Sequence, residues 1–167
     1  GLPAISIALV EGNAYGGGFE CALAHDFILA EEGVQFCLPE NKFNLFPGMG
    51  AHSILSRKVN TQDADMLIRS SRVYKSRYLQ SLGLVEKVVE REKGWLELIG
   101  FVNTIKEQFN FEYHHIQCKK MINPLSKEEL LEITNLWVKA CLQIKAFDLR
   151  KMEILAQAQS RRTKVGV

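Results

Sequence analysis

The chain has 167 residues, of which 47% are apolar and 24% are charged, and its formal net charge at pH 7 is +2. This apolar content excludes a disordered chain, and 4 prolines with 12 glycines exclude a collagen-like or low-complexity one. The length suits one domain or a part of a larger one, and no apolar run approaches the roughly 18 residues that a membrane helix requires. No basic-then-apolar leader is recognisable, so we expect a cytoplasmic protein without membrane contact.

The charge distribution and the cysteines narrow the class further. Residues 1–58 carry three basic and six acidic side chains, whereas residues 59–167 carry 18 basic and 13 acidic ones. The basic excess indicates a solvated helical surface, or a site for an acidic partner or a phosphorylated cofactor. No dense Lys/Arg run interleaves with aromatic residues, which argues against nucleic-acid binding. The four cysteines form no CxxC pair, so we expect reduced thiols.

The first part of the chain alternates strand and helix signals. The apolar, β-branched run 4–10 predicts a strand buried on both faces, and Gly16–Gly18 predicts a turn. A short helix over 19–25 and strands over 27–30 and 34–37 follow. A strand, a glycine turn, a helix and another strand predict an α/β unit.

The remainder of the chain is predicted to be mainly helical. Prolines and glycines indicate loops at 39 and 47–50, and the periodicity then predicts helices over 50–58, 61–70, 76–82 and 95–109, with a strand over 84–89. A turn at Asn123-Pro124 and a capping box that begins at Ser126 precede a helix with this apolar stripe: Leu130, Ile133, Trp137, Cys141 and Ile144. A last helix is predicted from Asp148, with one face formed by Leu149, Met152, Leu155 and Ala156.

The amphipathic C-terminal helices predict a boundary near residue 90. We expect a core over residues 1–90 and a helical region over residues 91–167. The apolar stripes of that region must pack on the same chain, on a neighbouring subunit or on another protein.

The run Gly16-Gly17-Gly18 fails two nucleotide-binding motifs. A P-loop requires a Lys after its last glycine, but Phe19 follows, and a dinucleotide fingerprint requires Gly or Ala where Cys21 stands. Two interpretations remain open. The run forms either a tight turn without a ligand or a helix N-terminus whose free amides bind an anion.

Two carboxylates in apolar surroundings are candidate catalytic groups. Glu20 lies in an apolar helix just after the glycine run, and Glu40 follows an apolar strand and Pro39. They are 20 positions apart, so only the fold could bring them together. Two carboxylates beside backbone amides would suit proton transfer at a carbon next to a carbonyl.

The histidines are weaker candidates. For His52 we favour a packing role over a catalytic one. The pair His114-His115 has no Cys or carboxylate at ligand spacing, so we expect no metal site.

The segment from Ile5 to Glu20 closely resembles the signature of the crotonase (enoyl-CoA hydratase/isomerase) superfamily. The resemblance continues through residues 24–26, 36–40 and 46–50 and covers about residues 1–90. It implies an α/β crotonase-like fold, a spiral of ββα turns of which this chain holds the C-terminal part. A helical C-terminal region used for trimer-like assembly follows in that superfamily.

Within the superfamily, four segments are similar to the diffusible signal factor synthases of bacterial quorum sensing: residues 12–20, 38–50, 148–152 and 156–162. Those enzymes dehydrate a 3-hydroxyacyl thioester to a cis-2-enoyl chain and hydrolyse the thioester, which releases a fatty-acid signal. The resemblance implies a CoA or acyl-carrier-protein thioester as substrate, no cofactor, homo-oligomers and a sensor protein as a further partner. Two alternatives stay open: an ordinary enoyl-CoA hydratase/isomerase, and a non-catalytic assembly or sensor-binding module.

Position by position, the resemblance assigns the acid/base roles to Glu20 and Glu40 and one oxyanion-hole amide to Gly17. Burial and mutual repulsion should then raise the carboxyl pKa values, while the helix N-terminus opposes this at Glu20. Substrate contacts are expected at these residues: Gly16, Gly18, Leu38, Phe43, Leu45, Phe46 and Met49.

Two departures from the superfamily pattern matter. Asn44 stands where hydratases usually have a glycine, although Asn tolerates a left-handed backbone well. The turns that supply the second oxyanion amide would precede residue 1, so we expect this chain to be the C-terminal portion of such an enzyme. Because losing one such donor costs on the order of 100- to 1000-fold in rate, the portion alone should be weak or inactive.

Overall fold

The structure is a computed structural model that describes the backbone of residues 4–165 and the side chains of residues 4–154 and 157. Six strands are present in this part: β1 (Ile7–Val10), β2 (Ala14–Tyr15), β3 (Phe27–Glu31), β4 (Gln35–Cys37), β5 (Tyr74–Lys75) and β6 (Lys87–Val89). The helices are α1 (Gly17–Leu23), a 3-10 helix (Glu40–Phe43), α2 (Ala51–Lys58), α3 (Thr61–Arg69), α4 (Ser76–Ser81), α5 (Gly94–Glu107), α6 (Phe109–Ile122), α7 (Lys127–Cys141) and α8 (Ala146–Val165).

The strands form two small sheets. One sheet has the order β1-β3-β6 with both pairs parallel. The other has the order β2-β4-β5, in which β2 pairs with β4 in parallel and β5 pairs with β4 in antiparallel orientation. Strands that alternate with helices and pair in parallel are the α/β arrangement that the sequence predicts.

The prediction that the first strand is buried on both faces is wrong. All four residues of β1 are only half-buried, because within this chain β1 is an edge strand that pairs with β3 alone. Central strand β3 is the buried one, with Ile28 and Leu29 at most 1% exposed. An apolar run therefore marked a sheet strand correctly but did not reveal its place in the sheet.

The core lies between the sheets and helices α1 to α4. The rings of Phe19 in α1 and Phe36 in β4 meet at 5.0 Å between centroids, and both side chains are at most 1% exposed. Leucines from the surrounding elements complete the same core: Leu23, Leu38, Leu55, Leu67 and Leu79. This packing sets the position of the turn at the start of α1 relative to the end of β4.

The predicted helices of the central region are confirmed within one or two residues. The sequence did not predict the two-residue strands β2 and β5. The predicted strand over 84–89 is shortened to β6, because Leu84 and Val85 follow Gly83 as buried turn residues. Helix α6 was not predicted. Only Ile116 of α6 is buried, so the sequence of α6 carries little periodic apolar signal.

The predicted stripe of the capped helix is confirmed as far as Cys141, where α7 ends, so Ile144 follows the helix in a loop. Leu130, Ile133 and Trp137 are half-buried, as are Cys141 and Ile144, while Leu131 and Leu136 on other faces are more than half exposed. Of the predicted capping box only the first half forms: the Ser126 hydroxyl accepts the Glu129 amide at 3.0 Å. The Glu129 carboxylate turns away from the cap toward another helix.

The last helix begins at Ala146, two residues before the predicted start. On its predicted apolar face Leu149 is 49% exposed and Met152 is half-buried. The side chains of Leu155 and Ala156 lie outside the described residues. α8 packs against the 3-10 helix, so the C-terminal helices reach back to the core.

The boundary near residue 90 stays a prediction.

None of the helices described within residues 4–165 combines the length and the apolarity needed to cross a bilayer.

Asn44 ends the 3-10 helix in the left-handed conformation, at φ 59° and ψ 33°. Asn44→Gly should therefore preserve the free energy of unfolding, whereas Asn44→Val should lower it by about 1–2 kcal/mol, because a β-branched residue is strained there. Urea denaturation of the two variants measures the difference. Equal stabilities would contradict the assigned backbone conformation.

Candidate active site

Glu20 is a buried carboxylate that joins α1 to the start of α2. Its side chain is 3% exposed, and its Oε1 accepts hydrogen bonds from the backbone amides of Met49 at 2.9 Å and Ala51 at 3.1 Å. Ala51 is the first residue of α2, so this oxygen lies at the helix N-terminus, where unpaired amides and the helix dipole favour an anion. The carboxylate is thus held at one oxygen by two donors.

Glu40 is the second carboxyl group, and it is held far less firmly. It opens the 3-10 helix after Pro39 and is half-buried. Its Oε2 is buried without a hydrogen-bond partner among the described residues. Burial, with a smaller contribution from the charge of Glu20, raises the pKa of Glu40 to about 7. A carboxyl group with this pKa can both accept and release protons at neutral pH.

Both residues lie at the same glycine turn, Glu20 through its backbone amide and Glu40 through its carboxylate. The Glu20 amide donates to the Gly16 carbonyl oxygen at 3.0 Å, and the Glu40 Oε1 lies 3.0 Å from the position that a Cβ on Gly16 would occupy. Gly16 has φ 54°, which favours glycine, and its amide donates to the Cys37 carbonyl oxygen at 2.8 Å. The turn is therefore anchored to β4, and a side chain at Gly16 would collide with the carboxylate.

The amides of Gly17 and Gly18 have no acceptor within the described part of the chain. The first amides bonded inside α1 are those of Phe19 and Glu20, and both reach the Gly16 carbonyl oxygen. Gly17 is half-buried, and the Met49 Sδ lies 3.2 Å from the position of a Cβ on Gly17. An open amide beside a flexible thioether can receive a polar group of a ligand.

The predicted acyl-contact residues differ in their surroundings. Met49 is 72% exposed beside Gly17, whereas Leu38, Phe43 and Leu45 are at most 8% exposed. Leu38 belongs to the central core, which gives it a packing role. Contact of these residues with an acyl chain stays a prediction.

Phe46 is half-buried and lies beside the first turn of α2. Its ring meets the His52 ring edge to face at 5.6 Å between centroids. Burial lowers the pKa of His52, while the charge of Glu20 opposes this shift in part. A neutral imidazole packed on an aromatic ring agrees with the packing role expected for His52.

The His25-Asp26 segment of the predicted signature has a structural role at the far end of α1. The Asp26 Oδ2 accepts hydrogen bonds from the Ser6 amide and hydroxyl at 2.9 and 2.8 Å, and its Oδ1 pairs with Lys120 at 2.7 Å. Although burial acts in the opposite direction, these bonds lower the pKa of Asp26. The side chain joins β1, β3 and α6.

Within residues 4–154 no group of three or more His, Cys, Asp or Glu side chains is placed to hold a metal ion. His114 and His115 line an open groove along α6, and the His114 Nδ1 is hydrogen-bonded to the Asn110 carbonyl oxygen at 2.7 Å.

Sequence reasoning missed one connection to the site. Arg57 of α2 bonds both carboxylate oxygens of Glu129 in α7, at 2.8 and 2.7 Å, and the Trp137 indole of α7 lies against Gly48. Arg57 and Glu129 are 72 positions apart, so no local pattern could have linked them. Glu129 was recognised only as part of a helix cap.

Known proteins resemble this chain in sequence family and in fold. The model of the enoyl-CoA hydratase/isomerase family matches residues 1–153. An enoyl-CoA hydratase from Mycobacterium avium subsp. paratuberculosis is similar with a TM-score of 0.72 at 24% identity, over 88% of this chain and 59% of that chain. A carnitinyl-CoA hydratase from Mycobacterium avium is similar with a TM-score of 0.75 at 22% identity, over 95% of this chain and 61% of that chain.

A third solved structure, Pseudomonas aeruginosa DspI, is similar with a TM-score of 0.62 at 28% identity, over 82% of this chain and 50% of that chain. The chain thus spans between 50% and 61% of the length of these three structures. The structural likeness confirms the predicted α/β crotonase-like fold. Because the family model covers residues 1–153, the chain belongs to the enoyl-CoA hydratase/isomerase family.

Proposed function

We propose that this chain carries the acid/base carboxylates of an enzyme that dehydrates a 3-hydroxyacyl thioester. The observation that supports this most is the pair of Glu20, held by two amides, and Glu40, which has an unpartnered oxygen and a pKa of about 7. CoA or an acyl carrier protein would hold the acyl group as a thioester, and no cofactor takes part.

In the proposed dehydration, Glu40 removes the α-proton. Its raised pKa makes it a stronger base than an ordinary carboxylate, and its Oε2 is not committed to another donor. Electron density moves to the thioester oxygen, where the Gly17 amide would donate a hydrogen bond to the enolate. No second oxyanion donor is assigned within residues 4–165.

The hydroxyl group then leaves as water. Glu20 would supply the proton through the oxygen that Met49 and Ala51 do not bind. The C–O bond breaks as the C=C bond forms, so that one proton passes from the substrate to Glu40 and one from Glu20 to the departing hydroxyl. The charge of Glu20 adds a small contribution to the raised pKa of Glu40, after the larger effect of burial.

The finer proposal is that the product is a cis-2-unsaturated fatty acid that serves as a quorum-sensing signal. After dehydration, water would add to the thioester carbon as the C–S bond breaks, which yields the free acid and the thiol. The resemblance of residues 12–20 and 38–50 to signal factor synthases supports this reading. The exposed Met49 beside Gly17 and the nearby Phe46 would contact the acyl chain.

The alternative activity is reversible hydration of a trans-enoyl-CoA, as in an ordinary hydratase or isomerase. The same carboxylates would serve both reactions, so the products separate them. Incubation with a 3-hydroxyacyl-CoA should yield free cis-2-enoic acid and CoA thiol, detected by mass spectrometry and a thiol reagent. Formation of trans-enoyl-CoA alone, without free thiol, would favour the ordinary hydratase.

A non-catalytic role in assembly is supported by one specific observation. Large apolar side chains are exposed at the start of α5 and at the end of α6. Trp95 and Leu96 are 68% and 67% exposed, and Met121 and Ile122 are 79% and 84% exposed. Such side chains commonly lie in subunit or partner interfaces. We propose a homo-oligomer, trimer-like as in the crotonase superfamily, with a sensor protein as a possible further partner. If alanine variants of Glu20 and Glu40 leave the biological output of the protein unchanged, that result supports the assembly role and contradicts the catalytic proposal.

Replacing Glu40 tests the acid/base proposal. Glu40→Gln should lower kcat by at least about 100-fold, because general acid–base groups typically contribute 10²–10⁴-fold. Turnover of the 3-hydroxyacyl thioester by the purified chain measures the effect against the rate of the unaltered chain, which is itself expected to be low. Glu32→Gln is the matched control, since Glu32 is an exposed carboxylate paired with Arg77 at 2.6 Å. Full activity in the Glu40 variant would refute the assignment.

The pKa of Glu40 also predicts a pH dependence of stability. Because burial raises this pKa from its usual 4.5 to about 7, the folded state binds more protons here than the unfolded state between these pH values. The contribution of Glu40 to stability is therefore lost as pH rises from about 4.5 to 7. Relative to wild type, Glu40→Gln should gain stability over this range, on the order of 1–2 kcal/mol once solvent screening is allowed for, measured by urea denaturation. A gain that appears instead as pH falls would contradict the raised pKa.

A further inference from the structure

Arg57 connects three parts of the chain at the end of α2. Besides both oxygens of Glu129, its guanidinium donates to the carbonyl oxygens of Ser53 at 2.8 Å, Pro124 at 2.7 Å and Asn123 at 3.3 Å. The side chain is 19% exposed, and the paired geometry with Glu129 is the strong, directional form of an Arg–carboxylate contact. The guanidinium therefore fixes the α6–α7 turn and the first turn of α7 against α2.

From this anchor, α7 runs past the loop before α2. Leu130, which follows Glu129, has its Cδ2 3.5 Å from the position of a Cβ on Gly50. Trp137, two turns further along, lies so close to Gly48 that a Cβ there would overlap its indole ring. α7 thus contacts the loop on both sides of Met49.

Met49 and Ala51 are the two residues whose amides bind the Glu20 carboxylate. Their loop contains Gly48 and Gly50, and glycines leave a backbone free to adopt many conformations. A hydrogen bond to a carboxylate oxygen requires the donors to stay within a few tenths of an ångström of one arrangement. The contacts with α7 restrict the loop at the two positions where glycine leaves it most free.

We propose that α7, held by the Arg57–Glu129 pair, positions the 47–51 loop and through it the Glu20 carboxylate. Arg57, Glu129 and Trp137 are positioning residues, since they act on Glu20 through Met49 and Ala51. The catalytic meaning of this arrangement rests on the proposed function, whereas the mechanical link between α7 and the loop does not.

Hydrogen exchange of individual amides tests the link without any substrate. In Glu129→Gln and in Trp137→Ala, the amides of Met49 and Ala51 should exchange at least about tenfold faster than in wild type, because the charged hydrogen bonds or the packing that restrain the loop are lost. Arg57→Lys keeps the charge but loses the paired geometry, so its exchange rates should fall between those of wild type and Glu129→Gln.

The reference amides are those of Leu29 and Ala30 in central strand β3, which report global opening. Any loss of global stability accelerates these amides too, so in the test variants they should accelerate by less than the amides of Met49 and Ala51. Glu32→Gln, which breaks the exposed pair with Arg77, is the matched control and should leave the loop amides unchanged. Wild-type exchange at Met49 and Ala51 in both test variants would overturn the proposal. Equal acceleration of the loop and β3 amides would overturn it as well, because that pattern reports only lost stability.

Turnover separates this inference from the proposed function. If both hold, Glu129→Gln should lower kcat severalfold with little change in KM, since the positioning residues Arg57, Glu129 and Trp137 would not touch the substrate. If Glu20→Gln leaves turnover unchanged while the exchange result holds, the proposed function fails and the positioning inference stands. If Glu20→Gln abolishes turnover but the loop amides do not respond to Glu129→Gln, only the positioning inference fails.

Discussion

Two backbone amides bound to one buried carboxylate oxygen organise the site. Glu20 lies almost fully buried in α1, and burial of an ionised carboxylate is costly unless donors replace the lost water. The amides of Met49 and Ala51 supply those donors from the start of α2. The bonds therefore join two helices and a loop, and they leave the second carboxylate oxygen of Glu20 free for other contacts.

The glycine turn supplies the complementary constraint. Gly16 adopts a conformation that favours glycine, and the Glu40 Oε1 comes within 3.0 Å of the space that any Cβ there would occupy. The missing side chain of Gly16 thus lets the Glu40 carboxyl group lie close to the backbone. A larger residue at this position would force that carboxyl group to shift. Two backbone amides hold one oxygen of Glu20, whereas Glu40 has an unpartnered oxygen and a pKa raised by burial. Unlike environments for paired carboxyl groups are what acid/base chemistry needs.

The C-terminal helices have two distinct faces. One face of α7 contacts the 47–51 loop through Trp137 and is attached to α2 by Arg57. Other faces carry exposed apolar side chains, among them Leu136 and Leu142 at 56% and 83% exposed. The inward face connects α7 to the loop of the candidate site, whereas the outward faces leave large apolar side chains exposed.

Sequence alone determined the α/β class and most helices, and it nominated the two carboxylates as candidates, because these depend on local patterns. The Leu130–Trp137 stripe follows from helical periodicity, and Glu20 and Glu40 stood out as charges in apolar segments that resemble a known family signature. Asn44 was expected to tolerate a left-handed turn and does so. The half-buried state of β1 could not be predicted from the sequence, because an apolar run does not show whether a strand pairs with one other strand or with two.

Only the tertiary structure decided how these groups meet. The amides that hold Glu20 come from residues about 30 positions away, and backbone amides carry no sequence signal of their own. The unpartnered oxygen and raised pKa of Glu40 depend on burial and on the nearby charge of Glu20, which is a property of packing. The Arg57–Glu129 pair spans 72 positions, a separation at which only folding sets the distance between two side chains.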